Sequence, residues 1–173
     1  MPARNRTVVV LAHCHLNVNT KVHGLAEYGG VRAEVLEPLI AAGHGIVQLP
    51  CPEASFLGMK RWGMTREQYD TPAYRRHCRS ILGPVVDTLV ALAEDGCRIE
   101  SVLGVDGSPT CGVNSTCFGY SGGEIATLLE KGPPGCFEAP GRGVLMEVLG
   151  SMLDEVGLSV EFQGVAEGRS EEE

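Results

Sequence analysis

Three cysteines occupy equivalent places in the sequence, each shortly after a run of apolar residues that predicts a β-strand. Cys14 follows the first run, Cys51 follows the second, and Cys111 follows the third after a short loop. Each lies beside proline, glycine or histidine in a sequence typical of turns, which disfavours a role as a small buried hydrophobic residue. Three thiolates can hold a metal ion or a cluster and leave one coordination position open for a substrate.

Two kinds of metal centre are compatible with these thiols. Zinc prefers cysteine and histidine ligands, and His13 and His15 flank Cys14. The sequence contains no Cys-x-x-Cys pair, which argues against a compact zinc knuckle. Iron–sulfur clusters are held by thiolates, and an iron that lacks a protein thiolate can bind a substrate. The residues alone leave both centres open, and they leave open whether Cys117 replaces Cys111 as a ligand.

Composition and charge are those of an ordinary globular chain with an acidic balance. The 173 residues include 14 basic and 22 acidic side chains, which gives a formal net charge of −8, and 43% are apolar. No apolar run is long enough for a membrane span, and the run at residues 8–12 is too short for a signal peptide. A cytoplasmic location with reduced cysteines is therefore expected. The acidic balance argues against a stable complex with nucleic acid.

Strand and helix patterns alternate along the chain and predict how the three cysteines are brought together. Strands are predicted at residues 7–13, 46–49, 99–105 and 158–162, and helices at residues 31–42, 72–95, 122–131 and 144–156. Pro84 is expected to kink or divide the second helix. This order predicts an α/β fold: an open, mostly parallel, Rossmann-like sheet with helices on both faces. One domain is expected over residues 1–166, with an acidic disordered tail at 167–173, and the cysteines should meet at the carboxyl ends of the strands.

Five short motifs give the chain a resemblance to a known family. They are Ala12-His13-Cys14-His15-Leu16-Asn17, Leu49-Pro50-Cys51-Pro52-Glu53, Lys60-Arg61-Trp62-Gly63-Met64, Gln68-Tyr69-Asp70-Thr71-Pro72 and Gly104-Val105-Asp106-Gly107-Ser108-Pro109-Thr110-Cys111-Gly112. Together, over residues 7–156, they resemble the thiouracil desulfidase family, formerly a domain of unknown function. The first motif reads Cys-His-Leu-Asn where many relatives read Cys-Leu-Leu-Gly, a difference that bears on the pocket lining.

The resemblance implies both a cofactor and a reaction. It implies a 4Fe-4S cluster on Cys14, Cys51 and Cys111, with one open iron that takes sulfur from a thiocarbonyl. It places the family's catalytic glutamate at Glu53 and its active-site serine at Ser108. The expected function is a non-redox desulfidase that converts C=S to C=O on a thiolated pyrimidine base or its nucleotide, with release of sulfide.

The residues support these roles on chemical grounds as well. Glu53 lies two residues from a predicted ligand and can activate a water as a general base. Ser108 can donate to charge that develops on the ring or position the water. Trp62, the only tryptophan, can stack on a pyrimidine or anchor its loop, and Arg61 can contact the substrate and neutralise a phosphate.

Two other functions remain open from the residues. One is another enzyme with an open cluster iron, of the dehydratase type. The other is a non-enzymatic zinc or iron–sulfur module that binds a partner or senses the redox state. An enzyme is expected to need Glu53, whereas a sensor is not.

Overall fold

A parallel four-stranded sheet forms the centre of the computed structural model, which describes residues 4–120, 122–124 and 136–167. In chain order the strands are β1 (Thr7–Leu11), β2 (Gly45–Gln48), β3 (Arg98–Val105), β4 (Ser115–Phe118), β5 (Phe137–Pro140) and β6 (Glu161–Val165). The sheet has the order β2-β1-β3-β6, and all neighbouring strands are parallel. The predicted α/β class with an open, mostly parallel sheet is confirmed.

Helices cover both faces of this sheet. They are α1 (His13–Leu16), α2 (Ala33–Ala41), α3 (Pro52–Leu57), α4 (Arg66–Tyr69), α5 (Pro72–Glu94) and α6 (Val144–Glu155). On one face, Val10 of β1 belongs to a buried cluster with α5 and α6, and on the other face Val9 packs with Leu36 of α2. Successive residues of a strand point to opposite faces, so β1 reads as a continuous apolar run because both faces are covered. None of these helices is both long and apolar enough to cross a membrane.

The path of the chain creates a crevice at one edge of the sheet. From β1 the chain passes to β2 on one side and then crosses to β3 on the other side of β1. The connection after β1 and the connection after β3 therefore run in opposite directions from the carboxyl ends of these neighbouring strands. The gap between two such connections is where open α/β sheets bind their ligands.

Helix α5 runs without interruption from Pro72 to Glu94, so of the two predicted effects of Pro84, a kink or a division, the division does not occur. The side chain of Thr71 begins the helix by accepting a hydrogen bond from Tyr74 N at 3.2 Å. Proline removes the N–H that would bond to the carbonyl four residues earlier. Both Ser80 and Pro84 are exposed, so water can satisfy that carbonyl, while the buried side chains on the opposite side hold the helix together.

The last strand and a small second sheet differ from the sequence prediction. Strand β6 begins at Glu161 rather than at residue 158, and Leu158 and Val160 pack against the core before the strand starts. Strands β4 and β5 form an antiparallel pair that the sequence did not predict. The helix predicted at 122–131 lies outside the described residues except for 122–124, which have no regular structure.

The predicted acidic tail is described only at its first residue. The Glu167 carboxylate pairs with the ammonium group of Lys21, and residues 168–173 lie outside the described part of the chain.

Candidate functional site

A cavity of about 460 Å³ lies at the carboxyl ends of the strands, and the three predicted cysteines all line it. Cys14 lies in α1, directly after β1, Cys51 immediately precedes α3, and Cys111 lies in the loop after β3. The segment that follows β6 completes the wall through Glu167. Thiols that are distant in the sequence therefore surround one space.

The three thiols lie close enough to influence one another. The pKa of Cys14 is raised to about 12, first by burial and then by the charges of Cys51 and Glu53. The pKa of Cys111 is raised well above its usual range by burial and by Cys14, while a hydrogen bond from Thr110 acts in the opposite direction. All three cysteines are free thiols. A cation or a cationic cluster bound here would stabilise their ionised forms.

The part of the chain that the structure describes lacks a side-chain group that could hold a single metal ion. Within residues 4–120, 122–124 and 136–167, no three histidine, cysteine, aspartate or glutamate side chains form a group that could hold one ion.

The start of α3 positions two residues on the cavity wall. The Cys51 sulfur accepts a hydrogen bond from Ala54 N at 3.4 Å, which caps the helix. Pro52 follows at the first helical position, where its missing N–H costs no hydrogen bond. Glu53 then lies in the first turn, two residues beyond the sulfur and on the same cavity. The local sequence therefore explains why a thiol and a carboxylate occur together.

Both oxygens of Glu53 are held by side chains from elsewhere in the chain. Arg61 Nε donates to Oε2 at 3.2 Å, and the Thr110 hydroxyl donates to Oε1 at 2.8 Å. The side chains of Glu53 and Arg61 are only 12% and 4% exposed. Arg61 also donates to the carbonyl oxygens of Gly58 and Thr20, at 3.1 and 2.7 Å. The guanidinium thus forms an ion pair with the carboxylate, and each of its three nitrogens donates a hydrogen bond within the protein.

Ser108 shapes the loop that carries Cys111. Its Oγ accepts hydrogen bonds from Cys111 N at 3.0 Å and Thr110 N at 3.3 Å, and Ser108 lines the cavity. Ser108 Oγ also lies 3.5 Å from Thr110 Oγ1, and since the Thr110 hydroxyl donates to Glu53, the Ser108 hydrogen can be donated to that oxygen or to another molecule.

The start of α6 anchors the same loop. Leu145 N donates to Thr110 O at 2.9 Å, so a loop carbonyl uses an N–H that has no partner within the helix. A Cβ on Gly143 would lie 2.8 Å from Cys111 N, closer than a side chain tolerates. Glycine therefore allows the helix to approach the loop backbone directly.

The two histidines that flank Cys14 have different environments. His15 is fully buried and its Nε2 lies 3.1 Å from the carbonyl oxygen of Gly104, which is a structural hydrogen bond. His13 lines the cavity, and its buried Nε2 has no hydrogen-bond partner among the residues described. Burial lowers the pKa of His13, which favours the neutral ring.

Trp62 lies outside the cavity. Trp62 is 66% exposed and does not line the cavity. The side chain of its neighbour Arg61 points inward and contacts Glu53. The structure therefore does not bring Trp62 to the three cysteines. Arg142 is also absent from the wall, and its guanidinium lies 4.6 Å from the ring centre of Phe162.

Sequence reasoning missed two contributors to the site. Thr110 is 1% exposed, and its hydroxyl links Glu53 to the loop that carries Cys111. The same hydroxyl oxygen lies 3.6 Å from the Cys111 sulfur. Its position next to Cys111 in the fifth motif was the available signal. The ion pair of Lys21 with Glu167 joins chain segments that are 146 residues apart, and no local pattern predicts such a contact.

Comparisons with known proteins give one relative of unassigned function. A scan against models of protein families finds no match, and no solved structure matches the chain. An uncharacterized protein of Methanocaldococcus jannaschii is 36% identical over 110 residues, which cover 64% of this chain and 70% of the relative. At this identity and coverage, the chain belongs to the same family as the Methanocaldococcus jannaschii protein.

Proposed function

We propose that this chain is a 4Fe-4S-dependent desulfidase of the thiouracil desulfidase family. It replaces the sulfur of a thiolated pyrimidine base, or of its nucleotide, with oxygen. The observation that carries the proposal is the shared cavity of Cys14, Cys51, Cys111 and Glu53. The free thiols favour a reducing compartment, and a cytoplasmic location is part of the proposal.

The donor set supports a cluster as the cofactor. Cys14, Cys51 and Cys111 supply three soft ligands, and burial raises the pKa values of Cys14 and Cys111 and so disfavours their ionisation until a positive group binds. When bound, the cluster supplies an open iron that attracts the sulfur of a thiocarbonyl. The exchange consumes one water and releases hydrogen sulfide, so it needs no external oxidant or reductant.

Glu53 acts as the general base in this proposal. A water that attacks the thiocarbonyl carbon must lose a proton, and a carboxylate offers about four lone pairs for hydrogen bonds. Arg61 and Thr110 use one on each oxygen, which leaves capacity to bind the water and accept its proton. Because both partners are buried, the carboxylate is held in one position on the wall. Arg61 therefore serves to position Glu53 rather than to bind the substrate.

Ser108 and His13 are the polar groups that orient the base ring. The Ser108 oxygen accepts two backbone N–H groups and lies 3.5 Å from Thr110 Oγ1, so its hydrogen can be donated to that oxygen or turned to a group on the base ring. The His13 ring lines the same cavity and can pack against the base. These groups fix the ring and stabilise charge that develops on it during the attack.

The size of the cavity favours a small substrate. Its volume of about 460 Å³ lies within the range of about 300–1,000 Å³ that is usual for small-molecule sites. The chain is also acidic overall, with a formal net charge of −8, which disfavours a polyanion such as tRNA. We therefore propose a free base, nucleoside or mononucleotide as the substrate.

The decisive experiment is anaerobic reconstitution followed by an activity assay. The protein should bind iron and inorganic sulfide in equal amounts, show the broad visible absorption of a cluster, and release sulfide from thiouracil or thiouridine monophosphate. Binding of zinc instead of iron, or a loaded cluster without sulfide release, would contradict the proposal. Efficient turnover of thiolated tRNA with little turnover of the monomers would contradict the substrate assignment.

Cysteine variants test the ligand set. Cys14→Ala, Cys51→Ala and Cys111→Ala should each lose most of the bound iron. Cys97→Ala is the matched control, because Cys97 is also a free thiol but immediately precedes β3 and does not line the cavity. A full cluster in Cys111→Ala together with its loss in Cys117→Ala would show that Cys117 is the third ligand.

A further inference from the structure

A second pair of cysteines lies on the cavity wall, separate from the three proposed ligands. In the antiparallel pair of β4 and β5, Cys117 is directly opposite Glu138. Cys136 immediately precedes β5, whose first residue, Phe137, pairs with Phe118, the neighbour of Cys117. Cys117, Cys136 and Glu138 all line the cavity. The two thiols therefore lie at the same end of this ladder, within hydrogen-bond reach of each other.

The environments of these thiols suit stepwise oxidation. Cys136 is exposed, whereas Cys117 is half-buried. The pKa of Cys117 is raised by burial and further by the adjacent Cys136 thiol, which shows that the two groups interact. Cys111, by contrast, is buried, and Cys14 and Cys51 are only partly exposed. Reaction with an oxidant requires access to the sulfur, so the exposed Cys136 is the thiol that an oxidant meets first.

We propose that Cys117 and Cys136 are a redox-active dithiol that a small-molecule disulfide converts reversibly into an intramolecular disulfide. The Cys136 thiolate attacks one sulfur of the small disulfide, forms a mixed disulfide and releases one small thiol. The Cys117 thiolate then attacks the Cys136 sulfur and displaces the second small thiol. The two protein thiols lose two protons and two electrons, and the small-molecule disulfide takes them up as two thiols.

The bond would join β4 to the residue that precedes β5. Since both strands contribute to the cavity wall, the shape of the wall would depend on the redox state of the pair. This inference does not depend on the cluster or on the desulfidase reaction, because it needs only the thiols of Cys117 and Cys136.

Peptide mapping after oxidation tests the proposal. The full chain is incubated anaerobically with oxidised glutathione, alkylated and digested with trypsin. Cys136 is in the peptide 132–142, while Cys111 and Cys117 share the peptide 99–131. We expect a disulfide between these peptides, reversed by dithiothreitol, with alkylation falling from seven thiols to five (7 − 2).

Three variants decide which cysteines form the link. Cys117→Ser and Cys136→Ser should abolish it, and Cys136 should remain as the glutathione mixed disulfide in Cys117→Ser. Cys97→Ser should leave it unchanged. A link that survives in Cys117→Ser would assign it to Cys111 and overturn the proposal. A wild-type protein in which Cys136 stops at the mixed disulfide, or in which Cys14 or Cys51 oxidises first, would overturn it as well.

Discussion

Two groups of arginines and carboxylates in this molecule have similar chemistry and different surroundings. The interior pair consists of Glu53 and Arg61, with exposures of 12% and 4%. The surface network joins α4, α5 and α6, and its side chains are between 17% and 39% exposed. Its members are Arg66, Asp70, Arg75 and Glu147.

The difference in burial determines what each group contributes. Exposed ion pairs are screened by water and typically contribute about 0–1 kcal/mol to folding. A buried pair has little net effect when intact, but removing one partner leaves an uncompensated charge that costs about 3–5 kcal/mol. The interior pair is therefore sensitive to substitution at the position of the proposed general base, whereas the surface network mainly ties helices together.

The largest expected effect is on turnover. Glu53→Gln keeps the shape of the side chain and removes the proposed base, so sulfide release should fall about 10²- to 10⁴-fold. Iron content should stay unchanged. Glu147→Gln, in the surface network, is the matched control and should change the rate of sulfide release less than twofold, roughly the limit of a remote effect. Near-normal turnover of Glu53→Gln with a full cluster would remove Glu53 from the mechanism.

Removal of each arginine compares the two groups by stability. Arg61→Met leaves Glu53 buried without its partner and should lower the free energy of unfolding by about 3–5 kcal/mol in urea titrations. Arg75→Met should cost about 0–1 kcal/mol, because its partners remain partly solvated. The double variant Arg61→Met/Glu53→Gln should recover part of the loss. Equal costs for the two arginine variants would show that burial does not distinguish the groups.

Thr110→Val tests the hydrogen bond that supports the interior pair. Valine has nearly the same shape but cannot donate to Glu53 Oε1, and hydrogen bonds to charged groups contribute about 1.5–3 kcal/mol. The free energy of unfolding should fall by that amount, and sulfide release should slow because Glu53 loses one of its two anchors. Thr88→Val is the control, since its hydroxyl donates to the Pro84 carbonyl on an exposed face of α5. An unchanged stability for Thr110→Val would argue against this bond.

The smallest effect is a pH dependence of the surface network. The pKa of Asp70 is lowered, first by a hydrogen bond from Arg75 and further by the charges of Arg75 and Arg66, although burial opposes the shift. Because the pKa is lower in the folded state, the ionised Asp70 stabilises the protein at pH values above the ordinary aspartate pKa of about 3.9. This contribution is lost as the pH falls from that value through the folded pKa. Asp70→Asn should therefore flatten the acid side of the stability curve, by about 1 kcal/mol or less in acid titrations of unfolding.

The three cysteines could be placed from the sequence because the relevant patterns are local. Apolar runs of β-branched residues locate β1, β2 and β3, and parallel strands bring their carboxyl ends to one edge. The motif Leu49-Pro50-Cys51-Pro52-Glu53 even contains the cap and the first turn of α3. In this region the local sequence preferences agree with the global fold, so the sequence was sufficient to place the three cysteines.

Other features were decided only by packing between distant segments. The continuity of α5 through Pro84 depends on which side of the helix is buried, and the pairing of β4 with β5 depends on contacts across the intervening chain. Neither depends on a short-range period that a sequence pattern can reveal.

The sequence by itself determined that Cys14, Cys51, Cys111 and Glu53 lie at one edge of the sheet, because local periodicity locates the ends of the strands that they follow. Only the tertiary structure decided their connections: Arg61 turns to Glu53 while Trp62 faces solvent, and Thr110 joins the α3 carboxylate to the Cys111 loop. The physical reason is that side-chain direction and burial depend on neighbours many residues away. Glu53 and Thr110 are 57 residues apart, so the hydrogen bond between them exists only once the sheet has formed.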